Sequence, residues 1–183
     1  MPHVLDAITV FNVEGGAIRL GQLWAGRTAV LVFVRHFGCI FCRQQMADVR
    51  PLIEPVRALG AALVVIGQGT VEEARAFSAE QAVDVQIVTD PTRQAYCAME
   101  MRRSRGSVLS ARVFRRALRA WGRGFRQTRP AGDPFQQGGV VIIDGTGVER
   151  YVFISREAGD HPPPEDILAA LRAVPSRPTR VAE

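Results

Sequence analysis

Hydrophobic residues in this chain fall into short runs divided by turn residues, and the lengths of those runs decide what they can form. Residues 29–34 (AVLVFV) and 61–66 (AALVVI) are continuous apolar runs of strand length, the first rich in β-branched residues. They predict strands buried on both faces. Between them, 44–59 is long enough for a helix, which Pro51 and Pro55 must bend or interrupt. Upstream, 8–13 alternates as a short strand, Gly15-Gly16 is a turn, and 17–20 returns as its partner. The GQGT of 67–70 closes the second apolar run; no lysine follows its glycines, so it is not a phosphate loop. A helix is expected over 71–81, with Glu72 and Glu73 in the first turn where they suit the dipole. Then come a short strand at 85–88, a turn at Asp90-Pro91 and a helix over 92–99. Residues 139–143, 144–147 and 148–154 read as strand, tight turn and strand. After the HPPP of 161–164, a helix over 165–173 closes the chain, and 175–183 reads as a flexible tail. This order of elements predicts an α/β fold, a central mixed sheet covered on both faces by helices, in one domain spanning 1–174.

Chemistry concentrates at the seam between the first core strand and its helix. Cys39 and Cys42 stand there at CxxC spacing, next to a helix N-terminus whose unpaired N–H groups and dipole favour a thiolate. Arg35 and His36 flank them and can stabilise a thiolate by charge or hydrogen bonding, although a histidine at a strand end is more often merely solvated. Phe37, Ile40 and Phe41 make the motif apolar, which would hide the thiols from large protein substrates and favour small ones. A zinc site would need two further ligands, and Cys97, His3, His36 and His161 are not paired in a knuckle, so no metal is expected. Cys97, in YCAMEM, reads as a packed thiol.

Composition narrows the setting. The chain has 183 residues, 47% hydrophobic and 22% charged, as in an ordinary globular protein. Three cysteines that include a CxxC argue for a reducing compartment, and no secretory signal or membrane-length apolar run is seen, so the expected localisation is cytoplasmic. All 23 basic residues are arginine, and ten lie in 102–129, a stretch without an acid; the remaining thirteen face 18 acidic residues. A basic segment therefore rides on an acidic body. Helical periodicity over 107–121 puts Phe114, Leu118, Trp121 and, if the helix persists, Phe125 in one stripe, with Arg112, Arg115, Arg116, Arg119, Arg123 and Arg126 opposite. Gly122 and Gly124 can end it early. The expectation is a helix that packs this stripe on the domain near the thiols, its arginines in solvent. An anionic partner at those arginines is the alternative, and no strong nucleic-acid or membrane signal accompanies it.

With CxxC on that seam, the chain resembles the peroxiredoxin-like 2 group of the AhpC/TSA thioredoxin-like superfamily, whose antioxidant-domain proteins carry an RHFxCxxC motif. The likeness rests on FVRHFGCIFCRQQM (33–46), LVVIGQG (63–69), TDPTRQAYCAMEM (89–101) and GDPFQQGG (132–139). It implies a thioredoxin-like fold with an N-terminal extension and an inserted basic helix over 102–129. It also implies an enzyme without a bound cofactor, a thiol oxidoreductase that reduces a small-molecule peroxide or disulfide through Cys39 and Cys42. Such an enzyme is recharged by an external thiol reductant such as thioredoxin or glutathione. Alternatives are reduction of an organic endoperoxide or quinone-like substrate, as in the more distantly related prostaglandin F synthases, or a redox-responsive binding protein using the arginine helix. Two departures stand out. Where thioredoxins place a cis-proline facing the thiols, this chain has Gln136-Gln137-Gly138-Gly139; and where peroxiredoxins carry the threonine of PxxxTxxC, this chain has Cys39. By thioredoxin analogy Cys39, expected to be the more accessible thiol, attacks and Cys42 resolves; by peroxiredoxin analogy the roles reverse.

Overall fold

A computed structural model describes residues 3–104, 111–126 and 132–175. Seven strands form one sheet: β1 (Thr9–Asn12), β2 (Ala17–Arg19), β3 (Ala29–Phe33), β4 (Ala62–Gly67), β5 (Gln86–Thr89), β6 (Gly139–Ile143) and β7 (Glu149–Ile154), in the order β2-β1-β5-β4-β3-β6-β7. The central β3, β4 and β5 run parallel, and both flanks are antiparallel. Strand alternation splits the apolar runs between two cores. Val30, Val32, Leu63, Val65, Val140 and Ile142 face one layer, which holds the buried residues of α1 (Ile40–Val49), α2 (Ile53–Ala58), α3 (Val71–Gln81), α5 (Ala111–Gly122) and α6 (Pro164–Arg172). Ala29, Leu31, Phe33, Val64, Ile66, Val141 and Ile143 face the other, filled by Leu5, Leu20, Trp24 and α4 (Gln94–Ala98). This is the expected mixed sheet, and the strand boundaries differ from expectation by a residue or two at most.

The helices depart more, for local reasons. The helix after the thiols starts at Ile40, four residues earlier than expected, because the extended Cys39 serves as its N-cap and its carbonyl accepts the N–H groups of Cys42 and Arg43. Pro51 interrupts it as expected: a 3-10 turn over Arg50–Leu52 separates α1 from α2, and Pro55 is tolerated in the first turn of α2. The helix expected over 92–99 shrinks to α4. Arg93 stands in the left-handed region at φ 60°, and Asp90 Oδ2 accepts the Ala95 N–H at 2.8 Å. Helix α5 ends at Gly122, with Gly124 at φ 93° beyond it. Residues 107–110 of the expected basic helix and 176–183 of the expected tail lie outside the described residues.

The C-terminal ends of β3 and β4 converge beneath the CxxC segment. Val34 N–H donates to the Ile66 carbonyl at 2.9 Å, and the buried Tyr96 hydroxyl donates to the carbonyls of Val34 at 2.6 Å and Ile66 at 3.0 Å. Close approach makes two glycines obligatory there. A Cβ on Gly138 would sit 2.0 Å from the Phe33 carbonyl oxygen, and one on Gly67 would sit 2.2 Å from the Phe37 ring. Replacing Tyr96 by Phe removes the side-chain donor to the Val34 carbonyl, and is expected to lower unfolding free energy by about 1–3 kcal/mol in chemical denaturation. An unchanged denaturation midpoint would mean that the Tyr96 hydroxyl does not anchor the two strand ends.

Candidate active site

Both thiols of the CxxC motif are free and shut away from solvent, Cys39 at 1% exposure and Cys42 at 0%. This overturns the expectation that Cys39 is accessible. Phe37, Ile40 and Phe41 are buried around them, and Arg35 is only 5% exposed. Arg35 is the hub. Its Nη1 donates to Cys39 Sγ at 3.4 Å, its Nε to the Gln136 carbonyl at 3.1 Å, and its Nη2 to the Pro134 carbonyl, while its backbone N–H donates to Cys42 Sγ at 3.2 Å.

The two sulfurs are unequal. A hydrogen bond from the Cys42 thiol is the main influence that lowers the Cys39 pKa, to about 6. The Arg35 charge and the backbone N–H groups of Cys42 and Phe41 act in the same direction, against burial. Burial, then the hydrogen bond and charge of Cys39, push Cys42 well above the usual thiol range. The pair thus has one poised anion and one proton holder. His36 does not share in the charge. Burial, then Arg35 and Arg43, lower its pKa to about 4, so its ring is neutral near pH 7; its carbonyl accepts the Cys39 N–H at 3.2 Å.

Several residues that the sequence reading did not single out build the site. Arg43, buried at 8%, forms a two-pronged pair with Glu80 (2.5 and 2.8 Å) and donates to the carbonyls of Gly38 at 3.2 Å and Arg126 at 3.1 Å, tying the thiol loop to the segment that follows α5. Gln68 donates to the carbonyls of Arg35 (2.6 Å) and Asp133 (2.8 Å) and accepts the Asp133 N–H (3.1 Å). The Asp133 carboxylate is held by Arg93 at 2.7 Å and by Arg103. These contacts fix the 132–137 segment so that the Pro134 and Gln136 carbonyls meet Arg35. The GDPFQQGG motif and the Gln of LVVIGQG were the available signals, but their roles appear only once the fold joins them.

Cys97 lies apart and is exposed, which corrects the expectation of a packed thiol. The stripe on α5 is also corrected. Val113 and Ala120 are buried, with Ala117 and Phe125 packed beside them, whereas Phe114, Leu118 and Trp121 face solvent. Not all the arginines opposite are free: Arg116 is half-buried against Glu157, and Arg123 reaches Asp48 at 3.1 Å.

The asymmetry of the thiols is measurable. Thiolate absorbance in the ultraviolet is expected to rise through a midpoint near pH 6, to vanish at that midpoint in Cys39→Ser, and to move to higher pH in Arg35→Gln. Retention of the low midpoint in Cys39→Ser would transfer the anion to Cys42.

Comparison with known proteins bears on the family of the chain and on its fold. Residues 49–158 match the family described as AhpC/TSA antioxidant enzyme, a region that begins just after the thiols. The thioredoxin-like protein AAED1, chloroplastic, of Arabidopsis thaliana is 32% identical over 92% of this chain and 72% of its own length. Peroxiredoxin-like 2C of Mus musculus is 29% identical over 94% and 82%, and the prostamide/prostaglandin F synthase of Danio rerio is 32% identical over 87% and 82%. Among solved structures, peroxidoxin BcpB of Mycobacterium tuberculosis superposes with a TM-score of 0.68 at 17% identity, covering 92% of this chain and 94% of that one. Xanthomonas campestris peroxiredoxin Q gives 0.68 at 15%, covering 93% of each. At those identities the structures speak for the fold alone, which is thioredoxin-like. The family match and the sequence relatives carry the assignment further: this chain belongs to the AhpC/TSA antioxidant enzyme family, in its peroxiredoxin-like group.

Proposed function

We propose that this protein is a thiol-dependent antioxidant oxidoreductase that reduces peroxides or small disulfides through a Cys39–Cys42 dithiol/disulfide cycle, with Cys39 as the attacking sulfur. One observation carries the assignment of roles: the Arg35 guanidinium donates to Cys39 Sγ at 3.4 Å, and the neighbouring Cys42 thiol lowers the Cys39 pKa further. A sulfur so surrounded is an anion at neutral pH, and the thiolate is the reactive form. With a hydroperoxide, the Cys39 thiolate attacks the terminal oxygen; the S–O bond forms as the O–O bond breaks, and the alkoxide leaves as the alcohol after taking a proton. The Cys42 sulfur then attacks the Cys39 sulfenic acid, forming the S–S bond and releasing water. With a small disulfide, Cys39 forms a mixed disulfide and Cys42 displaces the second thiol. Two electrons return from an external thiol reductant, of the thioredoxin or glutathione kind, which suits a reducing compartment such as the cytoplasm.

Arg35 acts here as donor and positive charge at the sulfur. His36, neutral and held through its backbone, supports the loop and carries no charge to the reaction. The burial of both sulfurs requires local opening before any reaction, and it favours small oxidants over folded disulfide proteins. A second reading follows from the Danio rerio relative named prostamide/prostaglandin F synthase. An endoperoxide presents the same O–O bond, and the buried Phe37, Ile40 and Phe41 suit an apolar substrate body.

Mass spectrometry after a hydroperoxide pulse is expected to find a Cys39–Cys42 disulfide. Cys39→Ser leaves the fold intact and abolishes turnover, whereas Cys42→Ser accumulates a mixed disulfide with the reductant, since the resolving thiol is gone. Full activity in Cys39→Ser would overturn the cycle, and trapping by Cys39→Ser would exchange the two roles. Cys97→Ala, a change at an exposed thiol away from the pair, is expected to keep both stability and turnover; loss of cycling would give Cys97 a resolving role.

A further inference from the structure

Helix α5 turns an apolar ridge outward. Phe114, Leu118 and Trp121 follow one another at successive turns and are 66%, 49% and 59% exposed. Three side chains of this size in one row differ from the scattered surface hydrophobics that every protein shows. The charge around the ridge is of one sign. Arg115 and Arg119 lie beside it, are exposed, and meet no carboxylate among the described residues. Arg126 sits over the Trp121 ring, 5.5 Å from its centre. The acids near α5 are drawn to its domain side, where Glu157 and Asp160 face Arg116, and Asp48 faces Arg123.

We propose that α5 is an interfacial helix that docks this protein on an anionic lipid bilayer. Phe114, Leu118 and Trp121 enter the boundary between headgroups and acyl chains, and Arg115, Arg119 and Arg126 meet the lipid phosphates. An apolar ridge with a tryptophan, bordered by arginines on an otherwise polar helix, is the pattern such docking needs. Charge complementarity selects the anionic surface, because each arginine near it strengthens binding on the order of fivefold. A protein partner fits less well: the ridge is a convex line on a helix of 12 residues, whereas a stable protein interface buries about 800 Å² on each side and needs a matching groove. A bilayer yields to a convex helix without one. No described helix is long and apolar enough to cross a membrane, so the contact is docking and not insertion across it. The docking assignment does not rest on the thiol chemistry, and either assignment can fail alone.

Co-sedimentation of the full chain with phosphatidylcholine vesicles, with and without phosphatidylserine, tests it. The protein is expected to bind only the vesicles containing phosphatidylserine and to release at high salt. Trp24 is buried at 3%, so a blue shift of tryptophan emission on binding reports Trp121 and is expected to disappear in Trp121→Phe. Phe114→Ser, Leu118→Ser and Trp121→Ser together should weaken binding at least about tenfold, and Arg115→Gln with Arg119→Gln on the order of tenfold or more. Unchanged thermal unfolding in both variants would show that the fold is not the cause, and a variant that unfolds is replaced by Leu118→Ser alone. Failure to sediment, equal binding to both vesicles, or full binding by the triple variant overturns the proposal. Self-association of the wild type that the triple variant abolishes, without vesicle binding, would assign the ridge to a second copy instead.

Discussion

A buried cation with a buried sulfur against it is the constraint from which the rest of this site follows. A guanidinium removed from water is tolerated only when its donors are satisfied and its charge is answered. Arg35 meets both demands with the carbonyls of Pro134 and Gln136 and with Cys39 Sγ. Carbonyls can do this only if their segment is fixed, and the Gln68 amide and the Arg93–Asp133–Arg103 cluster fix it. That segment must also come within contact of β3, which is why Gly138 has no room for a side chain. Motifs far apart in the chain are thus one device.

The same constraint explains the inequality of two cysteines that sequence treats alike. Cys39 stands at the helix N-cap, where backbone N–H groups converge; Cys42 lies one turn inward and receives the Arg35 backbone N–H. Each thiol biases the other, since a proton shared between neighbouring sulfurs can rest on only one of them. Position within the first helical turn, more than residue type, separates their acidities.

Much of this was legible in the chain. The runs that became β3, β4 and β6 are strands with a neighbour on each side, and their burial on both faces leaves a continuous apolar signature; the CxxC seam lies where the order of elements puts it. What escaped was what depends on neighbours distant in sequence. Arg43 reads as one arginine among 23 until Glu80, 37 residues on, is brought beside it. Accessibility of Cys39 cannot be read from its place at a helix start, because Arg35 and the apolar residues around it decide that. Helix α5 misleads for another reason. Periodicity shows which residues share a face but not which face a neighbour covers, and size favours Phe114, Leu118 and Trp121. The face laid against the domain is instead that of Val113, Ala117 and Ala120, because small residues let a helix approach closely.

The complete shielding of both sulfurs sets a clock as well as a filter. If Cys39 attacks as proposed, a substrate reaches it only when the loop opens, so at low concentration the reaction would follow the number of collisions, and at high concentration the frequency of opening. Above that crossover, more oxidant produces no faster response. The Arg43 contacts with Glu80, Gly38 and Arg126 then become determinants of tempo, because they hold the loop closed between excursions.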